Sequence, residues 1–200
     1  FTWIRRKKLI VSAQSGPGWD DRINLFFAPD IFVCLTHFQL SWAKATFHWP
    51  NQRFATIPNG VDLEIFKPSG PRVKLKLSKP IILIVAASER NKRVEQGIAA
   101  VARLKKASLL LLGEGVDDEK INKLGKTLLG PARFLHLSVP HSEMANYYRS
   151  ADLFTLCSES SEAFGIVYLE ALASNLGAVA TDDSSRREIL DGAGVFVKNP

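Results

Sequence analysis

Residues 153–158 (LFTLCS) and 162–174 (EAFGIVYLEALAS) read as an apolar β-strand with a polar end, then a short loop, then a helix-forming segment. Gly165 stands at the turn into the helix. Two carboxylates therefore bracket a helix start: Glu162 lies in the loop before it and Glu170 about one and a half turns in. Free backbone N–H groups and the positive end of the helix dipole suit such a place to a diphosphate. A loop glycine lets the backbone come close to a ligand. Carboxylates repel phosphate, but their oxygens accept hydrogen bonds from vicinal hydroxyls. One end of the loop could then hold a sugar and the other a ribose. The plainer reading is a solvated helix start whose acidic residues complement the dipole, and the residues by themselves leave both readings open.

Working outward, the same strand–loop–helix unit recurs. Residues 81–85 form a continuous apolar strand, as expected when both faces of a sheet are covered. Residues 94–104 are helical, with Val94, Ile98, Val101 and Leu104 pointing inward. Strands follow at 108–112, 133–137, 153–157, 178–180 and 195–197. Between them lie helices at 117–128, at 142 to 149, at 165–174 and at 185–190. This alternation predicts an α/β fold, a doubly wound parallel sheet with right-handed crossovers. Ligands on such sheets bind beyond the carboxyl ends of the strands, so the loops after Val85, Leu112, Leu137, Cys157 and Ala180 are the ones that matter.

Upstream, strands are expected at 9–13, 31–36 and 54–57. A helix is expected at 37–47, with Phe38, Trp42, Ala45 and Phe47 as its apolar face and Pro50 as its stop. The expected organisation is the end of a first α/β domain over residues 1–60, a linker over 61–79 and a Rossmann-like domain over 80–200. The linker is punctuated by Pro68, Gly70 and Pro71 and is basic at Lys74, Lys76 and Lys79.

Composition narrows the function classes. The chain has 200 residues, 46% of them hydrophobic, with a net charge of +6. That is a globular composition with a surface that favours anions. The charge is not laid out as a basic stripe interleaved with aromatics, so nucleic acid is not expected as a partner. The cluster Arg5-Arg6-Lys7-Lys8 reads as a solvated edge. The two cysteines, Cys34 and Cys157, both lie in apolar runs and read as buried thiols of a reducing compartment. None of the four histidines, His37, His48, His136 and His141, has metal-ligand spacing, and no Asp-x-Asp pair occurs, so no metal is expected. Apolar runs are too short to span a membrane, no leader is visible, and the expected location is cytoplasmic, with the basic surface leaving peripheral membrane contact open.

Two glutamates separated by seven residues, with Phe-Gly after an alanine behind the first, resemble the signature of retaining GT-B glycosyltransferases of the family 4 type. Residues 57–62 (IPNGVD), 66–68 (FKP), 111–115 (LLGEG), 150–154 (SADLF) and 192–197 (GAGVFV) are similar to further landmarks of that family, in the same order. The resemblance covers residues 30 to 200 and implies the C-terminal, nucleotide-sugar-binding domain of a GT-B enzyme. It implies transfer of a sugar from a nucleoside diphosphate sugar to a hydroxyl acceptor with retention, without a cofactor or metal. In that likeness Glu162 faces the transferred sugar, Glu170 the ribose, and Lys92 the diphosphate. The backbone at Phe164, Gly165, Ile166 and Val167 faces the donor, and Gly113 and Val139 lie near the base. An arginine of the family is replaced by Ala87, and Arg93 or Arg90 is the candidate substitute. Val167 stands where the family often has proline, and keeps an N–H. Glu170→Ala is expected to weaken nucleotide binding and leave the fold intact.

Other uses of the same chain are a non-catalytic nucleotide-binding or interaction α/β module, a nucleotide-sugar epimerase, or a phosphorylase with pyridoxal phosphate on a lysine. Gly113-Glu114-Gly115 lacks the third glycine of a dinucleotide fingerprint, which argues against an oxidoreductase.

Overall fold

A computed structural model describes residues 7–47, 49–159 and 162–198. Arg5, Arg6 and His48 lie outside the described residues. The first strand, β1 (Ile10–Ser12), is followed by helix α1 (Trp19–Phe26), β2 (Ile31–Cys34), α2 (His37–Thr46) and β3 (Arg53–Thr56). These three strands pair in parallel in the order β1-β2-β3. A second series runs β4 (Ile81–Val85), α3 (Val94–Ala102), β5 (Ser108–Leu112), α4 (Asp118–Leu129), β6 (Phe134–Leu137) and α5 (His141–Tyr148). It continues with β7 (Leu153–Leu156), α6 (Ile166–Ala173), β8 (Ala178–Thr181), α7 (Ser184–Leu190) and β9 (Gly194–Val197).

The second sheet is entirely parallel, in the order β6-β5-β4-β7-β8-β9. The chain winds outward from β4 to one edge, returns, and winds from β7 to the other. This is the doubly wound α/β architecture, and its strand order reverses between β4 and β7, where ligands collect in folds of this type. Every residue of β4 and of β5 is buried, which is why both read as unbroken apolar runs rather than as alternating ones. Their core is a single cluster that also takes in Phe66, and Val61, Leu75 and Leu77 of the segment expected to be a linker pack against it. A smaller cluster of Ala13, Leu25, Phe32, Cys34 and Ala43 serves the first sheet.

Three local expectations are corrected. Helix α1 was not foreseen: it buries only Asp21 and Leu25, leaves Trp19 78% exposed, and so has no apolar stripe to read. In α2 the inward face carries Gln39 and Ala43, while Phe38 is 40% exposed and Ala45 is at the surface. A buried glutamine is tolerated because it is fully engaged. Its Oε1 accepts from the Leu35 N–H at 2.7 Å, and its Nε2 donates to Asp21 at 2.9 Å and to the Ala13 carbonyl at 3.3 Å. Helix α3 stops at Ala102, which leaves Leu104 48% exposed. Both cysteines are free and buried, and among the described residues no helix is long and apolar enough to cross a membrane.

Gly113, directly after β5, holds φ +140°, and a Cβ there would collide with the Ala86 carbonyl oxygen after β4. Gly130 also has positive φ, +73°, but faces open space. Gly113→Ala should therefore lower stability by more than Gly130→Ala, whose cost is the backbone strain alone, about 1–3 kcal/mol at φ 73°, ψ 169°; denaturant midpoints of the two variants measure the difference. Burial pushes the Cys34 thiol from its ordinary 9.0 up to about 11. The unfolded thiol loses its proton first, so stability should fall as pH rises from about 9 towards 11, and Cys34→Ala should flatten that part of a pH-dependent unfolding curve.

Candidate functional site

The loops at the carboxyl ends of β4, β5, β6 and β7 enclose one side of a cavity of about 630 Å³. They contribute Val85, Ala86 and Ala87, then Leu112, Gly113 and Glu114, then Ser138 and Val139, then Leu156. The other side comes from the first sheet: Gln14 after β1, Leu35 after β2, and Asn59 after β3. The Asn59 side-chain amide donates to the Gln14 side-chain oxygen Oε1 at 3.4 Å. The cavity therefore lies where the strand ends of both sheets meet.

Helix α6 opens onto it. Its N-cap is Gly165, in the left-handed conformation at φ +78°, and no side chain caps the helix there. The first N–H groups of a helix have no partner within it, so those of Ile166 and Val167 are left to face a ligand. Phe164 is buried and anchors the turn, while Ile166 is partly exposed at the rim. A Cβ on Gly165 would come within 2.9 Å of the Tyr168 ring, so the position demands glycine on space as well as on backbone conformation.

Lys92 and Glu162 both line the cavity and are paired with each other, Nζ to Oε2, at 2.6 Å. Both side chains are largely withdrawn from solvent, which strengthens such a pair relative to a surface one. The titratable residues lining the cavity are Lys92, Glu114, His141 and Glu162, and of the two carboxylates it is Glu162 that pairs with Lys92. Arg93 does not line the cavity; it takes a left-handed conformation (φ 49°) before α3 and its guanidinium lies 3.4 Å from Glu159. Ala87, where the family's arginine was missed, does line it.

Glu170 also lies off the cavity lining and is 4% exposed. The Tyr148 hydroxyl donates to its Oε2 at 2.7 Å, and His141 Nε2 stands 3.4 Å from its Oε1. Burial is the main reason that the Tyr148 hydroxyl titrates well above its ordinary range, with the Glu170 charge adding to it, so the proton stays on the tyrosine. Glu170 is thus part of the packing as well as a candidate ligand, and Glu170→Ala would leave the Tyr148 hydroxyl only its 3.4 Å contact with the Val167 carbonyl.

The structure thus brings Glu162, Lys92, Phe164, Gly165, Ile166, Val167, Gly113 and Val139 together around one cavity, and places Arg93 and Glu170 behind its wall. The residues not anticipated there include Gln14, Leu35, Ser138, His141 and Met144. His141 carried a signal: it opens a helix directly after a strand, where the doubly wound rule puts ligand contacts. Gln14 carried none, since its place depends on how two sheets face each other.

Residues 69–200 match the family described as Glycosyl transferases group 1. A phosphatidyl-myo-inositol mannosyltransferase of Mycolicibacterium smegmatis is 34% identical over 146 residues, covering 68% of this chain and 36% of that protein. The sulfoquinovosyl transferase SQD2 of Arabidopsis thaliana is 30% identical over 152 residues, covering 70% of this chain and 29% of that protein. The chain thus spans well under half the length of these relatives. Among solved structures, HepE of Anabaena, in complex with UDP and glucose, superposes with a TM-score of 0.82 over 98% of this chain and 59% of that one, at 16% identity, a likeness of fold.

Tyr148→Phe should cost about 1.5–3 kcal/mol of stability, the range for a hydrogen bond to a charged group, because it deletes the donor to the buried Glu170 carboxylate. Chemical denaturation at neutral pH checks it, and a cost below about 0.5 kcal/mol would show that Glu170 finds another donor.

Proposed function

The chain belongs to the Glycosyl transferases group 1 family, and on that premise we propose that it forms the donor-binding part of a GT-B glycosyltransferase. The substrate is a nucleoside diphosphate sugar and the product a glycoside formed on a hydroxyl acceptor. The observation that supports this best is the meeting of the open N-terminus of α6, Lys92 and Glu162 in one cavity at the strand ends.

In the reaction the bond between the anomeric carbon and the phosphate oxygen breaks, and a new bond to the acceptor oxygen forms on the same face, so stereochemistry is retained. The acceptor's proton leaves with the nucleoside diphosphate. Charge on the departing diphosphate is met by the Ile166 and Val167 N–H groups and by the Lys92 ammonium, which act without a cofactor or a divalent cation. When the donor enters, Lys92 turns from Glu162 to the diphosphate, and Glu162 is freed to accept hydrogen bonds from the sugar hydroxyls. Val139 packs on the base, and the glycine at Gly113 lets the backbone approach it. Glu170 lies behind the cavity wall, so to meet the ribose its Oε1 has to turn from His141 Nε2, 3.4 Å away, into the cavity. Arg93 acts through Glu159, on the loop rather than on the donor.

The acceptor enters from the side of Gln14 and Asn59, where side-chain amides offer both donors and acceptors to a hydroxyl compound. Relatives named for phosphatidyl-myo-inositol and the net charge of +6 favour an enzyme that works at the cytoplasmic face of a membrane.

Calorimetric titration of the full-length protein with UDP, GDP and ADP tests the reading. One nucleotide should bind in preference to the others, and Lys92→Ala should weaken it by about tenfold or more while leaving the matching nucleoside unaffected. A folded protein that binds none of the three would remove the donor-site assignment.

A further inference from the structure

Arg186 lies in the first turn of α7 and is 1% exposed, so its charge has been taken out of water and must be satisfied locally. One end of the guanidinium, Nη1, is paired with Asp183, the residue that caps α7 by accepting from the Arg186 N–H at 2.9 Å. The other end, Nη2, reaches across to the loop after β7. There it donates to the Ser158 hydroxyl oxygen at 2.6 Å, to the Ser158 carbonyl at 3.1 Å and to the Glu159 carbonyl at 2.8 Å. That last carbonyl also accepts the Glu162 N–H at 3.0 Å. The backbone of Glu162 and the guanidinium of Arg186 therefore meet on one oxygen atom.

The same short segment is tied to the opposite wall. The Glu159 N–H donates to the Asn91 carbonyl at 2.9 Å, and its carboxylate faces Arg93 at 3.4 Å, on either side of Lys92. We propose that Arg186 is a positioning residue: it fixes the Ser158–Glu159 backbone and, through the shared Glu159 carbonyl, sets where the Glu162 carboxylate stands in the cavity. The functional half of this inference rests on Glu162 facing the transferred sugar. A planar fork of donors on a buried charge suits the task, since Nη1 is held by Asp183 while Nη2 holds the Ser158–Glu159 backbone in one fixed plane, which an ammonium on a flexible stem cannot do with the same geometry. Ser158 is itself fully buried, so the contact is shielded from competing water.

The test compares Arg186→Lys and Arg186→Gln with the unaltered full-length protein. Hydrogen exchange of peptides covering residues 157–165 reads the loop directly, and should rise by about tenfold or more in Arg186→Gln, with Arg186→Lys between the two. Affinity for a nucleoside diphosphate should change by less than about threefold, while the additional affinity gained from the sugar of the nucleoside diphosphate sugar is lost. Unchanged exchange in that loop would overturn the proposal, as would equal losses for nucleotide and nucleotide sugar, the mark of a general structural defect. If Arg186→Gln does not fold, Arg186→Lys decides by the same readouts. If the unaltered protein binds no nucleoside diphosphate, the donor-site reading falls, and exchange still decides whether Arg186 holds the loop.

Discussion

Everything about the site follows from the pairing of β4 with β7, Ile82 opposite Leu153 and Leu83 opposite Phe154. These strands are far apart in the chain and adjacent in the sheet. Because the strand order reverses between them, the loops leaving their carboxyl ends diverge to opposite faces and leave a crevice. The β4 loop carries Lys92 and the β7 loop carries Glu162, so one backbone register brings the two charges together. The pairing is held by burial: Leu83 and Phe154 are both fully inaccessible, and Phe154 meets the Tyr148 and Tyr168 rings on either side.

Charge is used sparingly inside a chain that is basic overall. The excess lies on exposed residues such as Lys74, Lys76 and Lys79, while the interior cations are each tied to a named acceptor. Arg186 is tied to Asp183 and the β7 loop, Lys92 to Glu162, and Arg149 reaches the Pro71 carbonyl at 2.8 Å and the Asn146 side chain at 2.6 Å. Arg149 thereby fastens the segment around Phe66 to the second sheet's core, since the Ile65 and Lys67 carbonyls also accept from it. A buried guanidinium without such partners would be strongly destabilising, so these contacts are as much a condition of the fold as the apolar core.

The two sheets are also joined by a single carboxylate. Glu188, in α7, accepts from the His37 N–H at 2.8 Å and from the Phe38 N–H at 3.3 Å, at the start of α2, where the dipole favours a negative charge. His37 Nδ1 adds a contact at 2.7 Å. With Thr36 capping the same helix from within, accepting from the Gln39 N–H at 3.1 Å, the first turn of α2 is satisfied partly by each sheet's own neighbourhood. Glu188 lines a second, smaller cavity together with Leu35, Thr36 and Asn59, so this contact stands beside the first sheet's wall of the site.

The sequence by itself determined the order of elements and their parallel, doubly wound arrangement, because those rest on local quantities. Continuous apolar runs at β4 and β5 mean burial on both faces, and polar, glycine-marked breaks mean loops at the strand ends. Gly165 and Glu162 were legible for the same reason, since the doubly wound rule turns the loop after β7 toward a ligand, whereas within the loop after β4 it was the family resemblance that singled out Lys92. Where the local pattern was weak, the reading slipped, as in α1 with its single buried leucine and in α2, where a buried glutamine occupies the inward face. Only the tertiary structure decided which charges are paired. Lys92 and Glu162 are 70 positions apart, and the pairing is set by the register of β4 on β7. Arg186 and Ser158 are 28 apart, and Tyr148 and Glu170 are 22 apart. The physical reason is range: periodicity reports which side of an element a residue takes, whereas the partner of a side-chain end depends on ångström-scale distances between elements that no local pattern encodes.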